Sequence, residues 1–267
     1  MLLRGYEDQH LHTTHSPDGK NTPEEMIARA REMKLSGVTF TDHCETDRYF
    51  THGYFRSVPR AYAAIRALRE SADAVEVRVG IEIGQPRCDL PLCDRLVTEH
   101  AYDLTLVSVH RLMNTADFYT LSADPKSAES MMKRYFAELE RIIAWGRFDV
   151  LAHLTYPLRL IEQVRKLKIH PDVYRDALDR VLRAAAQSEK GIEVNTQNMI
   201  LPDAEILARF RAFGGRYITL GSDAHSADAI GNRFPEAVSV IRTAGFHEWA
   251  IYRNHCPTLC PLPNLPN

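Results

Sequence analysis

Histidines and acidic residues recur in this chain at the ends of short apolar runs. In chain order, these ends carry His10 with His12, then His43, Glu82, His110, His153, and Asp223 with His225. Side chains at the carboxyl ends of barrel strands face the mouth of the barrel, where active sites are built. Six imidazoles and several carboxylates at one mouth would form a multinuclear metal centre. The pattern therefore predicts a metal site at the carboxyl ends of the strands.

The apolar runs alternate with stretches of helical periodicity. A capping box with a proline at the first helical position opens a predicted helix at Thr22-Pro-Glu-Glu25. Seven strand-helix units follow one another at roughly regular spacing, and such alternation favours an α/β fold in which a parallel sheet is covered by helices. We see no linker or second core, so residues 1–267 are predicted to form a single domain.

Two segments are not predicted as part of this alternation. A polar and aromatic loop is expected from Cys44 to Val58, with the next helix beginning at Pro59. Such a loop would overhang the mouth of the barrel, so a substrate contact from it is expected, for example from His52. The tail from Cys256 to Pro266 is too rich in proline for a helix or a central strand and is expected to wrap the surface.

The composition is that of a soluble globular protein, with 45% hydrophobic and 25% charged residues. A net charge of -2 gives no electrostatic attraction to nucleic acid or acidic membranes. No apolar run is long enough to span a bilayer, and the first four residues are too short for a signal peptide. We expect a cytoplasmic protein without a nucleic-acid or membrane partner. The sequence does not define its oligomeric state.

The charge of the predicted cluster constrains its substrate. Its carboxylates are Asp18, Glu82 and Asp223, which with six neutral imidazoles give a charge of -3. Three divalent ions would bring six positive charges and leave an excess of three. That excess suits an anionic substrate such as a phosphate monoester, and it would lower the pKa of a bridging water.

Three motifs resemble those of the polymerase and histidinol phosphatase (PHP) family. The first runs from His10 to Gly19, the second is Thr41-Asp42-His43, and the last runs from Gly221 to His225. Glu82, His110 and His153 fall between them in family order. Within this family, the chain is most similar to the stand-alone histidinol-phosphate phosphatases. It resembles them in its length, in the segment from Asp149 to Arg159, in the run after His225 through Gly231 and Phe234, and in the ending Tyr252 to Pro257. The resemblance covers nearly the whole chain.

The resemblance implies a distorted (βα)7 TIM-like barrel with three divalent metal ions, for which zinc, iron and manganese are all suitable. It also implies how the ligands divide. One ion would be held by His10, His12, Glu82 and Asp223, a second by Glu82, His110 and His153, and the third by Asp18, His43 and His225.

The implied activity is hydrolysis of a phosphomonoester, with L-histidinol phosphate as the expected substrate in histidine biosynthesis. A metal-bound hydroxide would attack phosphorus, with Asp223 and His225 as candidate proton-transfer groups. An arginine near the mouth should clamp a phosphate oxygen, and Arg159 and Arg233 are the candidates. The amine and imidazole of histidinol need polar partners, for which Glu45, Asp47 and Asp117 are available.

Three alternatives remain open. A PHP phosphoesterase for another small phosphate, a nucleotide or a phosphoprotein would have the same ligands and different loops. A metal-dependent amidohydrolase also begins with a His-x-His strand, but it usually lacks the Asp18-Gly19 element. A non-catalytic PHP module is disfavoured because no ligand of the motifs is missing.

Overall fold

The computed structural model describes residues 1–70, 74–120, 124–197 and 201–265. Its centre is a sheet of parallel strands in which neighbouring strand positions follow one another along the chain. The strands of this sheet are β1 (Glu7–Leu11), β2 (Gly37–Phe40), β3 (His43–Glu45), β4 (Glu76–Gly84), β5 (Leu104–Ser108), β6 (Val150–Leu151), β7 (Gly191–Asn195) and β8 (Ile218–Gly221). β2 and β3 both pair with β4, so they occupy one strand position broken into two pieces.

The first and last strand positions meet at their carboxyl ends and close the sheet. The backbone N–H of Asp223 donates to the carbonyl of His10 at 2.8 Å, and that of His12 donates to the carbonyl of Ala224 at 3.0 Å. Leu11 and Ala224 form a parallel bridge between the same segments. The prediction of a distorted seven-stranded α/β barrel is therefore confirmed.

Helices connect the strands and cover the barrel. They are α1 (Pro23–Met33), α2 (Tyr54–Arg69), α3 (Leu90–Glu99), α4 (Pro125–Trp145), α5 (Tyr156–Arg159), α6 (Arg175–Gln187), α7 (Ala204–Ala212) and α8 (Phe234–Thr243). The capping box predicted at the start of α1 is present, with Thr22 and Glu25 bonding to each other's backbone. No helix in the described part of the chain is long and apolar enough to cross a membrane.

A β-hairpin packs against the amino-terminal end of the barrel. It consists of β9 (Glu248–Arg253) and β10 (Cys256–Pro261), which pair antiparallel. Inside the barrel, the side-chain amide of Gln9 donates to the carbonyl of Ala250 at 2.8 Å and accepts from the N–H of Tyr252 at 3.1 Å. Because the hairpin takes up this end, the opposite end is left for the polar cluster.

The structure differs from two of the sequence expectations. The segment predicted as a loop from Cys44 to Val58 begins with β3 and ends inside α2, which starts at Tyr54. The apolar face of α2 begins before Pro59, since Tyr54 and Val58 are buried on it, and Pro59 lies inside the helix. The helix therefore starts earlier than the proline suggested.

The tail expected to wrap the surface also differs. Residues Cys256 to Pro261 form β10, an edge strand whose prolines leave its pairing with β9 intact. Leu262 to Leu265 continue without regular structure, and Pro266 lies outside the described residues.

Candidate metal centre

All nine predicted ligands lie together at the carboxyl ends of the strands. They are His10, His12, Asp18, His43, Glu82, His110, His153, Asp223 and His225. His10, His12 and Glu82 are fully buried, whereas the side chain of Asp18 is 58% exposed. The cluster thus extends from the interior of the barrel to its mouth.

The deepest group surrounds His10, in β1, and His12, the first residue after that strand. Nε2 of His10 and Nε2 of His12 are 3.0 Å apart, and each lies 3.5 Å from Oε2 of Glu82. Oδ1 of Asp223 lies 3.1 Å from Nε2 of His12 and 3.6 Å from Nε2 of His10. Four potential ligand atoms therefore face one small volume.

A second group forms around the other oxygen of Glu82. Oε1 of Glu82 is 2.9 Å from Nε2 of His153 and 3.4 Å from Nε2 of His110. The two imidazole nitrogens are 3.3 Å apart. Because its two oxygens face different groups, Glu82 is placed to bridge them.

The third group lies nearest the mouth. Oδ2 of Asp18 is 3.2 Å from Nε2 of His225 and 3.7 Å from Nε2 of His43, and these nitrogens are 3.4 Å apart. The groups overlap, since Nδ1 of His43 also lies 2.7 Å from Oε2 of Glu82. Candidate atoms of His12, His43 and His225 also lie within 4.8 Å of one another. The spacing alone therefore permits more than one division of the ligands.

The donor set fits divalent cations. Oε2 of Glu82 is buried without a hydrogen-bond partner among the described residues, although three imidazole nitrogens lie within 3.5 Å of it. Converging imidazole and carboxylate lone pairs are typical of zinc, iron and manganese sites. The residues present are therefore able to hold metal ions.

Electrostatics within the cluster favour positive charge. Burial opposes a charge on His10, but nearby carboxylates, led by Glu193, hold its pKa well above its ordinary value. Burial would raise the pKa of Glu82, but the positive charges of His43 and His10 hold it well below its usual range. His12 is the exception, because burial and its neighbouring imidazoles hold its pKa well below normal. The carboxylates thus stabilise cations in a water-excluded region.

Two ligand positions have unusual backbone conformations. His153 has φ of 29° and Asp223 has φ of 52°, in the region that favours glycine. The side-chain amide of Gln197 donates to the carbonyl of Asp223 at 2.9 Å and helps to hold the backbone of Asp223 in this conformation. Backbone strain of this kind is concentrated at functional sites.

Two residues of β7 that hold these ligands were not predicted from the sequence. Glu193 Oε1 lies 2.6 Å from Nδ1 of His10, and its Oε2 accepts the backbone N–H of His153 at 2.7 Å. Asn195 donates to Glu193 at 3.0 Å and to Asp223 at 3.2 Å. Both are polar residues two positions apart, so they share a face of the strand. That alternation was the available signal.

Asp42, in the second motif, supports the loop that follows β1. Its carboxylate accepts the backbone N–H of Thr13 at 2.7 Å and the hydroxyl of Ser16 at 2.7 Å. Ser16 in turn accepts the backbone N–H of His43 at 3.0 Å. These bonds connect the loops that carry the first two motifs.

A cavity of about 750 Å³ opens above the cluster. Besides the ligands, polar and aromatic side chains line it: Lys20, Glu45, Arg48, His52, Tyr54, Arg111, Asp117, Tyr119, Tyr156 and Gln197. The loop after the second motif therefore contributes to the cavity, as expected. Its volume is sufficient for a small organic phosphate.

The two arginines expected to clamp phosphate have different surroundings. Arg159 is half-buried and donates to the carbonyl of Gln197 at 3.4 Å, and its Nε is buried without a hydrogen-bond partner in the described part of the chain. Arg233 lies just before α8 and bonds to the carboxylate of Glu236 in the first turn of that helix. Neither is among the residues that line the cavity, but Arg159 contacts one that does.

Relatives match the chain along nearly its whole length. The histidinol-phosphatase of Lactococcus lactis subsp. lactis (strain IL1403) is 28% identical over 258 residues, which cover 92% of this chain and 93% of that protein. The probable histidinol-phosphatase of Clostridium acetobutylicum is 28% identical over 240 residues, which cover 87% and 91% of the two chains.

A solved structure shares the fold. The crystal structure of histidinol phosphate phosphatase from Lactococcus lactis, in complex with zinc, L-histidinol and phosphate, aligns with a TM-score of 0.73 and 24% identity. The alignment covers 96% of this chain and all of the other.

The model of the PHP domain family matches residues 8–197, which is more than two thirds of the chain. The matched region contains seven of the nine clustered residues, from His10 to His153. Together with the barrel and the convergence of the motif residues at its mouth, this match shows that the chain belongs to the PHP domain family.

Proposed function

We propose that this protein is a metal-dependent phosphomonoesterase that hydrolyses L-histidinol phosphate to L-histidinol and phosphate. The observation that carries the proposal is the match, over about nine tenths of both chains, to relatives named histidinol-phosphatase. The polar cavity above a cluster of side chains that could hold metal ions supports the same chemistry. Its substrate would be a small phosphorylated molecule.

Three divalent ions, zinc, iron or manganese, would be held by the three groups of ligand atoms. The deepest would be held by His10, His12, Glu82 and Asp223, the second by Glu82, His110 and His153, and the outermost by Asp18, His43 and His225. Such ions, when bound, activate water and neutralise charge on a transferring phosphoryl group.

Arg159 is the better candidate to bind phosphate. Its guanidinium is half-buried beside the cavity and has no carboxylate partner among the described residues. Arg233 is paired with Glu236, so a phosphate would have to compete with that carboxylate. Lys20 and Arg48 also line the cavity and offer further positive charge.

Asp117 is our candidate for binding the amine of the leaving alcohol. Of the three carboxylates expected for this task, Glu45 and Asp47 are bonded to Arg111 at 3.1 and 2.6 Å. Asp117 lies farther from the same guanidinium, at 3.8 Å, and remains 31% exposed in the cavity wall. A charged amine would therefore find its strongest available partner there.

Asp223 and His225 are proposed to transfer protons during the reaction. Both line the cavity, and Nδ1 of His225 lies 3.6 Å from Oδ1 of Asp223. Gln197 lies 3.2 Å from the same ring nitrogen and restricts its orientation. These contacts keep both side chains at the boundary between the ligand cluster and the substrate space.

The test is a substrate panel with the purified protein, supplied with manganese, zinc or iron. Phosphate release from L-histidinol phosphate would be compared with release from sugar phosphates, nucleotides and phosphotyrosine. We expect kcat/KM for histidinol phosphate to exceed the others by about 100-fold, or about 2.7 kcal/mol. A flat profile would indicate a phosphoesterase with another substrate, and no hydrolysis with any metal would reject phosphatase activity.

A further inference from the structure

Glu45 connects a proposed metal ligand to a buried arginine. Its Oε1 lies 2.8 Å from Nδ1 of His110, the nitrogen that faces away from the cluster. Its Oε2 accepts from Nη2 of Arg111 at 3.1 Å. Glu45 and Arg111 are 6% and 5% exposed, so both charges are largely removed from water. A buried charge is costly unless an opposite charge is paired with it, so Glu45 and Arg111 each depend on the other.

Gln85 fastens the same carboxylate from a third side. Its amide nitrogen donates to Oε2 of Glu45, and its amide oxygen accepts the backbone N–H of His110 at 2.6 Å. Gly84 leaves room for this arrangement, because a Cβ at that position would overlap the carboxylate of Glu45. The carboxylate therefore has little freedom to move away from the imidazole.

Arg111 is itself anchored on the neighbouring loop. It forms two hydrogen bonds to Asp47, from Nε at 2.9 Å and from Nη2 at 2.6 Å. A bidentate pair fixes the plane of a guanidinium as well as its distance. Because Asp47 fixes the position of Arg111, Arg111 in turn holds the carboxylate of Glu45 at the end of β3.

His153 provides a comparison within the same group. It approaches the same oxygen of Glu82 as His110 does, but its Nδ1 is buried without a hydrogen-bond partner among the described residues. A partner on the second ring nitrogen fixes which nitrogen of an imidazole faces a metal. Of these two histidines, His110 is the one oriented by a carboxylate.

We propose that Glu45, held by Arg111 and Gln85, is a positioning residue that fixes His110 with Nδ1 protonated and Nε2 directed at a metal ion. The inference rests on the proposed metal centre and does not depend on the identity of the substrate. Removing the carboxylate should weaken metal binding by about 10- to 100-fold, the usual cost of losing such a partner.

The first experiment measures zinc affinity of the full-length protein by competition with a fluorescent chelator. Glu45→Gln keeps the shape of the side chain and removes its charge, and we expect one class of zinc site to weaken about 10- to 100-fold. Arg111→Lys should fall between this variant and the wild type. Glu70→Gln, at the exposed residue just after α2, is the matched control and should bind as the wild type does.

Unchanged zinc affinity in a folded Glu45→Gln protein would overturn the positioning role while leaving the metal centre intact. A wild-type protein that binds no zinc, iron or manganese would overturn both the role and the proposed function. Thermal unfolding of the metal-free variants shows whether they are folded.

A second experiment needs no substitution of Glu45. ¹⁵N chemical shifts of histidine-labelled, zinc-loaded wild-type protein report the tautomer of each imidazole, and the His110→Gln spectrum identifies the His110 signals. We expect His110 to carry its proton on Nδ1. A proton on Nε2, with Nδ1 bound to the metal, would contradict the proposal.

Discussion

Nδ1 of His10 lies 2.6 Å from Oε1 of Glu193, and both side chains are buried inside the barrel. The other oxygen of Glu193 accepts the backbone N–H of His153, a residue with positive φ. One carboxylate on β7 therefore orients one proposed ligand and holds the backbone of another. The strand that supplies none of the nine proposed ligands supports two of them.

Glu193→Gln should therefore impair the metal centre. An amide cannot accept on both sides as the carboxylate does, and it removes a negative charge beside His10. We expect metal affinity and kcat/KM each to fall by about 10- to 100-fold. Metal titration and steady-state kinetics measure the two effects. Glu99→Gln, at the exposed end of α3, is the control, and equal behaviour of the two variants would contradict the prediction.

Arg159 and Arg233 can be distinguished by matched substitutions. Arg159→Met should lower kcat/KM for the phosphate substrate by about 100-fold, or about 2.7 kcal/mol, because a charge-assisted contact to phosphate is lost. It should also weaken inhibition by inorganic phosphate. Arg233→Met loses the pair with Glu236 on α8 and should stay within about twofold of the wild type. The reverse ranking would move the phosphate site toward α8.

Asp117→Asn should affect specificity more than chemistry. Removing the charge that faces the amine should lower kcat/KM for histidinol phosphate by about tenfold or more, since hydrogen bonds to charged groups contribute about 1.5–3 kcal/mol. Hydrolysis of 4-nitrophenyl phosphate, which has no amine, should change little. Asp228→Asn, at an exposed position, is the control. An equal loss on both substrates would show that Asp117 does not recognise the amine.

The location of the motif residues at the strand ends could be predicted from the sequence. The contacts that these residues make with one another could be predicted only in part. The motif residues follow apolar runs, and parallel strands bring such positions to one end of a barrel. All nine lie there, while their individual ligand roles stay predictions. Glu193 was not predicted as part of the site because a charged residue within a strand is expected to face solvent, where polar and apolar residues alternate. Its inward direction is seen only in the structure. Its partner His10 is 183 positions away in the chain.

Prolines account for the main errors in the fold. Pro59 suggested a helix start, but the buried positions of α2 begin more than one turn earlier, at Tyr54. The prolines of the tail argued against a central strand, which is correct, but they do not distinguish an edge strand from an irregular segment. Pairing with β9 depends on the barrel beneath it, because Gln9 bonds to the β9 backbone. That contact joins residues that are far apart in the chain, so it cannot be predicted from the sequence of the tail alone.

The contact between Gln9 and the hairpin predicts a loss of stability. Gln9→Ala would leave the carbonyl of Ala250 and the N–H of Tyr252 without their partner in a buried region. Each unsatisfied group costs about 1–3 kcal/mol, so we expect the two together to lower the free energy of unfolding by about 2–6 kcal/mol. Urea denaturation measures it. Gln187→Ala, at the exposed end of α6, should change it by less than about 0.5 kcal/mol, and similar losses for both would refute the argument.

The ion pairs at the amino-terminal end of the barrel predict a pH dependence. Burial raises the pKa of Glu76, but Arg253 at 2.7 Å and Arg78 at 2.8 Å outweigh it and hold this pKa at about 2. Because the pKa is lower in the folded state than in the unfolded chain, the carboxylate stabilises the fold above about pH 4.5. This contribution is lost as the pH falls from 4.5 toward 2.

Glu76→Gln should therefore be less stable than the wild type near neutral pH, with a difference that shrinks as the solution is acidified. Urea denaturation of both proteins at pH 7, 5, 4 and 3 tests this. The side chain of Glu76 is 37% exposed, so added salt should also reduce the difference. Glu99→Gln should show no such trend. A difference that stays constant from pH 7 to 3 would mean that Glu76 stabilises the barrel through packing and hydrogen bonds, and that its charge makes no contribution.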